Sequence, residues 1–176
     1  MSGTARPPDC ISREEHRDRD HPVERGLRWL VVALLALFVI AGLVNSFGQR
    51  PAETSSTGAG ATLRVSGPDD LRGGLLFQGR FELVGERSIA KPTLVLDAGW
   101  FDGITLNTVQ PEPERTESED GGIAFEYGPL EAGRTLTAYM EFQVNPTTVG
   151  RRSQGVELRD GERPLATVDR PVTIFP

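Results

Sequence analysis

The sequence predicts an antiparallel β-sandwich behind one membrane-spanning helix, and three observations support this. From Thr62 onward, apolar and polar residues alternate in short runs rich in aromatic and β-branched side chains and separated by turn residues, which is the period of half-buried strands. No ten-residue helical pattern follows Phe47. Upstream, 16 consecutive positions from Trp29 to Val44 carry no charged or strongly polar side chain. The chain of 176 residues has a formal charge of −6, an excess of Asp and Glu over Lys and Arg. No nucleic-acid partner is expected, because a binder of phosphate backbones needs a clustered cationic excess.

Residues 1–28 hold six Arg and six acidic residues and almost nothing apolar. Such a segment cannot bury enough surface to offset chain entropy, so it reads as a disordered, solvated tail. The run from Trp29 to Phe47 rises about 28 Å as a helix, against a hydrocarbon core of about 30 Å. It is apolar all round, whereas the helix of a soluble domain keeps a polar stripe. A cleaved signal peptide has a shorter apolar region behind a short basic head, so this run reads as an uncleaved anchor in the lipid bilayer. Arg25 and Arg28 precede it, backed by Arg13, Arg17 and Arg19, while Arg50 alone follows closely. That bias predicts a cytoplasmic N-terminus and an extracytoplasmic C-terminal domain. Gly42 and Ser46 form a small-xxx-small pair, which leaves homo-oligomerisation open. Residues 48–61, rich in Gly, Ser and Thr, read as a flexible linker.

Residues 62–176 then read as eight strands: 62–66, 75–84, 92–97, 104–109, 122–127, 134–144, 153–160 and a broken last strand within 164–175. In the sixth, Leu136, Ala138, Met140, Phe142 and Val144 face the core and Thr135, Thr137, Tyr139, Glu141 and Gln143 face water. In the second, Phe77, Phe81 and Leu83 point inward, and Gly79 marks a bulge or a close approach. Asp160-Gly161 suits a tight hairpin between the last two strands. Seven to eight short strands over such a length form a two-sheet sandwich with long crossovers.

The stretch Leu130-Glu-Ala-Gly133-Arg-Thr-Leu136 resembles the corner before strand F of immunoglobulin-like and fibronectin type III-like domains, with Leu136 where their Tyr stands. The plan of short tail, single span and one sandwich, with Arg-rich and Lys-poor composition, is similar to that of actinobacterial envelope proteins. The resemblance implies an immunoglobulin-like sandwich in an envelope compartment, and a role in binding or holding a partner.

Cysteine and histidine usage removes several chemistries. Cys10, His16 and His21 all lie in the tail, so residues 62–176 can form no disulfide, no Cys/His zinc site and no Ser-His-Asp or Cys-His pair. No cofactor and no metal are expected. Ser88 and Lys91 match the Ser-x-x-Lys spacing of penicillin-binding enzymes, but Pro92 biases Lys91 away from the helix that spacing requires, and the pair reads as a turn. The acidic run 112–120 lacks the Asp-x-Asp-x-Asp-Gly spacing of a calcium loop and reads as a solvated surface loop.

The most suggestive stretch is Asp97-Ala-Gly-Trp-Phe-Asp-Gly103. An aromatic pair between short strands, flanked by Gly and Asp, suits an anchor for a partner, so Trp100, Phe101 and Asp102 form the candidate partner-binding set; against this, one of the two rings is expected to plug the end of the sandwich, leaving Trp100 as the member at the surface. The expected function is a non-catalytic, membrane-anchored binding or accessory module presenting loops 98–103 and 111–121 to an envelope or membrane protein. The alternative is a carboxylate-dependent enzyme acting on cell-wall or surface glycans.

Overall fold

The computed structural model describes residues 22–43 and 51–176, which form two units. The first is a helix, α1 (Pro22–Leu43). It begins seven residues ahead of the apolar run, with Pro22 at the first helical position, where its missing N–H costs no hydrogen bond. Its stretch of 19 residues from Arg25 to Leu43 has a mean hydropathy of 2.3, so it is long and apolar enough to cross a bilayer. The tail before Pro22, the end of the predicted span and the first residues of the predicted linker lie outside the described residues.

The second unit is an antiparallel β-sandwich of eleven strands: β1 (Pro51–Gly58), β2 (Ala61–Pro68), β3 (Asp70–Arg72), β4 (Leu76–Gly85), β5 (Pro92–Leu96), β6 (Ile104–Gln110), β7 (Arg115–Glu119), β8 (Gly122–Glu126), β9 (Thr135–Val144), β10 (Gly150–Asp160) and β11 (Arg163–Phe175). One sheet has the order β1-β2-β4-β9-β6 and the other β3-β11-β10-β5-β8-β7. The short pair β3–β11 is parallel and every other ladder is antiparallel.

The alternation in β4 and β9 holds as the sequence predicts. Phe77, Phe81 and Leu83 on β4 and Ala138, Met140, Phe142 and Val144 on β9 are buried, with Leu136 half-buried. They face Leu94, Leu96, Val156, Leu158, Val168 and Val172 of the other sheet in one core. Gly79 marks a close approach, since a Cβ there would meet the rings of Phe81 and Phe142 at 3.0 and 3.3 Å. The β10–β11 hairpin turns through Gly161-Glu162, between Asp160 and Arg163.

Three expectations are corrected. Residues 51–58 are not a flexible linker but strand β1, paired with β2 over eight residue pairs, because Thr and Ser suit an exposed edge as well as they suit a tether. The acidic run is not a loop throughout, since Arg115–Glu119 forms β7, paired with β8. Residues 163–175 form one unbroken strand whose core-facing face is Ala166, Val168, Arg170, Val172 and Ile174. Arg170, 1% exposed, is the one charged residue on that face.

Candidate functional site

The candidate stretch leaves β5 at Leu96 and turns at once. Asp97 caps the 3-10 turn Ala98–Trp100, its Oδ1 accepting from the Gly99 N–H at 3.0 Å while Oδ2 accepts from the Gly155 N–H of β10 at 2.8 Å. One carboxylate thus sews the loop to the neighbouring strand. The approach is close, because a Cβ on Gly99 would lie 1.8 Å from the Ser153 carbonyl oxygen.

Trp100 is not the exposed anchor expected of it. It is fully buried, with its ring 5.3 Å from that of Phe81 and 5.0 Å from that of Phe142, and its Nε1–H donates to the Gly155 carbonyl at 3.1 Å. A two-sheet sandwich leaves its end open, and a large ring with one polar atom closes it better than any aliphatic side chain. The other two members stand outside. Phe101 is half-buried, packed against the core edge, and Asp102 is exposed. Arg152 Nε lies 2.7 Å from Asp102 Oδ2, an ion pair without hydrogen-bond alignment that ties the loop tip to β10.

The second predicted loop arrives at the same end. The turn after β7 passes beside the 3-10 turn, so that a Cβ on Gly121 would be 3.4 Å from Ala98 Cβ. Beside Asp97 and Asp120, over β10 and β11, lies a concavity of about 250 Å³ whose charged lining is Asp97, Glu119, Asp120, Glu157, Asp169 and Arg159. Arg159 donates from Nη1 to Glu119 at 2.8 Å and from Nη2 to Glu157 at 2.7 Å. These bonds, that to Glu157 foremost, hold its guanidinium well above the usual arginine range, so it is permanently charged. Gly155 forms the floor, where a Cβ would lie 2.5 Å from Asp97 Oδ2 and 3.1 Å from Asp169 Oδ1. Five carboxylates around one guanidinium suit a basic or hydroxyl-rich surface. Among the described residues, no three His, Cys, Asp or Glu side chains converge as metal ligands.

The sequence named Trp100, Phe101 and Asp102 but missed Asp97 as the loop's fastener, and Glu157, Arg159 and Asp169 as its neighbours. Asp97 had a readable signal, an Asp two residues before Gly at a strand end. The other three become neighbours only through strand pairing.

Neither a protein-family model nor a curated protein matches the chain. Similar solved structures include a non-cellulosomal cohesin from the hyperthermophilic archaeon Archaeoglobus fulgidus, 16% identical over 61% of this chain and 86% of that one, with a TM-score of 0.42. The C-terminal domain of wzt is 14% identical over 73% of this chain and 81% of its own, with a TM-score of 0.42. The CARDB domain of a Pyrococcus furiosus protein is 14% identical over 71% and 89%, with a TM-score of 0.37.

Proposed function

We propose that the chain is a membrane-anchored, extracytoplasmic binding or accessory module of a bacterial cell envelope, acting without catalysis. In this reading α1 anchors the chain in the bilayer, the N-terminal tail stays in the cytoplasm and the sandwich recognises an envelope or membrane protein. The observation that carries it is the convergence of the Asp97–Gly103 loop and the β7–β8 turn, which come within contact at Ala98 and Gly121 and share, at Asp97 and Asp120, the rim of the carboxylate-lined concavity. Trp100 serves recognition from inside, as the post on which that loop is fixed. The absence of His and Cys from residues 51–176 supports binding over His- or Cys-dependent catalysis.

The test is in-cell crosslinking of the full chain beside the same chain with its apolar helix replaced by an unrelated span. Partners retained by both are recognised by the sandwich, and partners lost on replacement dock against the helix. Capture of nothing above background by either protein removes the reading.

A further inference from the structure

The two sheets end together on one side of the sandwich, and they end open. There β6 is the last strand of one sheet and β7 the last of the other, each paired along a single edge. Between them runs a groove of about 580 Å³, within the range of about 300–1,000 Å³ in which specific ligands are held. Its apolar lining is Leu106, Val109, Ile123 and Phe125, and Thr116 and Glu112 stand among its polar residues. Thr116 lies directly opposite Phe125 in the β7–β8 ladder yet is exposed, so no strand covers β7 on this side.

Three features select the occupant. The unpaired edge of β6 offers backbone donors and acceptors to an extended chain, which a glycan cannot pair with in register. The register shift between Leu106 and Thr108 and the proline at 111 shorten that edge, so an incoming strand must also fill the groove with side chains. Charge settles the rest. Glu112 is the one charged residue in the lining and is exposed, and Arg115, the one cation of residues 104–126, is paired with Glu117 at 2.5 Å. A second copy would bring a second Glu112 carboxylate to a two-fold contact with no cation to meet it, whereas a basic segment is attracted.

We propose that this groove seats an extended, basic segment of a partner protein. The segment adds a strand to β6, lays alternate apolar side chains on the half-buried Val109 and Ile123, and turns Lys or Arg toward Glu112. The proposal rests on the reading of the domain as a binding module and names its partner by chemistry.

The test uses the full chain in lipid nanodiscs and a fluorescent synthetic peptide of about ten residues, enough to run the length of β6 at roughly 3.3 Å per residue, with Val alternating with Lys and Thr. The expected result is saturable binding that slows hydrogen exchange at β6 amides. It weakens at least tenfold for a peptide of the same composition without alternation, and likewise for Ile123→Lys. Glu112→Lys, on an exposed side chain, should weaken it in the same direction and carries the test if Ile123→Lys fails to fold. Absence of saturable binding, equal binding of the shuffled peptide, or protection of amides outside β6–β8 overturns the proposal. So does a groove filled by a second copy, seen as concentration-dependent dimerisation, or by oligosaccharides that protect the same amides. In-cell crosslinking separates the two levels. Partners captured equally by wild type and by Glu112→Lys and Ile123→Lys sink the groove and spare the binding module, while capture by none of them removes both.

Discussion

Replacing Trp100 distinguishes a post inside the sandwich from an anchor on its surface. An exposed anchor can be truncated with little loss of stability, but Trp100 is 0% exposed. A Trp side chain buries about 150–250 Å², and at about 25 cal/mol per Å² its removal costs about 4–6 kcal/mol. The hydrogen bond adds less than a fully orphaned carbonyl would, because the Gly155 oxygen also accepts from the Asp97 N–H at 3.1 Å. Trp100→Phe keeps most of the ring area and loses that bond, so about 1–2 kcal/mol is expected. The assay is urea unfolding of the full chain in detergent followed by far-UV circular dichroism. A thermal scan should fall roughly 3–5 °C per kcal/mol for a domain of this size. Since Trp100→Ala removes a large share of a typical stability of about 5–15 kcal/mol, Trp100→Phe keeps the test readable if the alanine variant does not fold. A Trp29→Phe background leaves Trp100 as the sole indole, and its emission should be blue-shifted and resist an aqueous quencher. A loss below about 1 kcal/mol for Trp100→Ala, or quenching like that of a free indole, refutes the reasoning.

Arg170 donates from Nη2 to the Gly67 carbonyl at 2.7 Å and to Asp69 Oδ1 at 2.5 Å, while Nε and Nη1 are buried without partners. Arg170→Met is therefore expected to leave the melting temperature unchanged or raise it, whereas Arg170→Ala opens a cavity beside Trp100 and lowers it; a large loss with Met would show that the charge itself is needed. Burial pushes the Tyr127 phenol up to about 12, and its hydroxyl has no partner. Because the folded value exceeds the unfolded value of about 10, the contribution is complete below pH 10 and is lost as pH rises through about 12, a fall of roughly 2–3 kcal/mol that Tyr127→Phe should abolish in alkaline urea titrations. Ser55→Cys on the exposed side of β1 should react with an impermeant thiol reagent in intact cells while Cys10 stays protected, and the reverse labelling would invert the proposed topology.

Strands with a repeated core-facing alternation were legible in the sequence, and strands with one core side chain or none were not. Burial on one face imposes a period of two, so β4 and β9 could be read side chain by side chain. The three strands that went unread, β1, β3 and β7, are all sheet edges. An edge needs no continuous apolar face, and Pro-Ala-Glu-Thr-Ser-Ser-Thr-Gly or Arg-Thr-Glu-Ser-Glu reads as loop until a neighbour pairs with it. The candidate site shows the same division. Its position between β5 and β6 was visible, but which ring turned inward was not, because Trp100 and Phe101 are adjacent and a short 3-10 turn decides their directions. Asp97 and Gly155 meet only through the β5–β10 ladder, and no local pattern marks such a pair.

The place of β11 governs when this domain can exist at all. It follows the other ten strands of the sandwich in chain order, yet it sits inside its sheet between β3 and β10, and Arg170 reaches back to Gly67, 103 residues earlier. Contacts so distant in sequence close slowly, since the chain must give up loop entropy before they form. Until Arg163–Phe175 emerges, β10 lacks a neighbour, β3 has no strand to pair with and the core lacks one wall. Synthesis and folding are thereby separated in time. The sandwich is acquired only once Arg163–Phe175 is available, so a break in the chain ahead of that strand removes the whole domain rather than its edge.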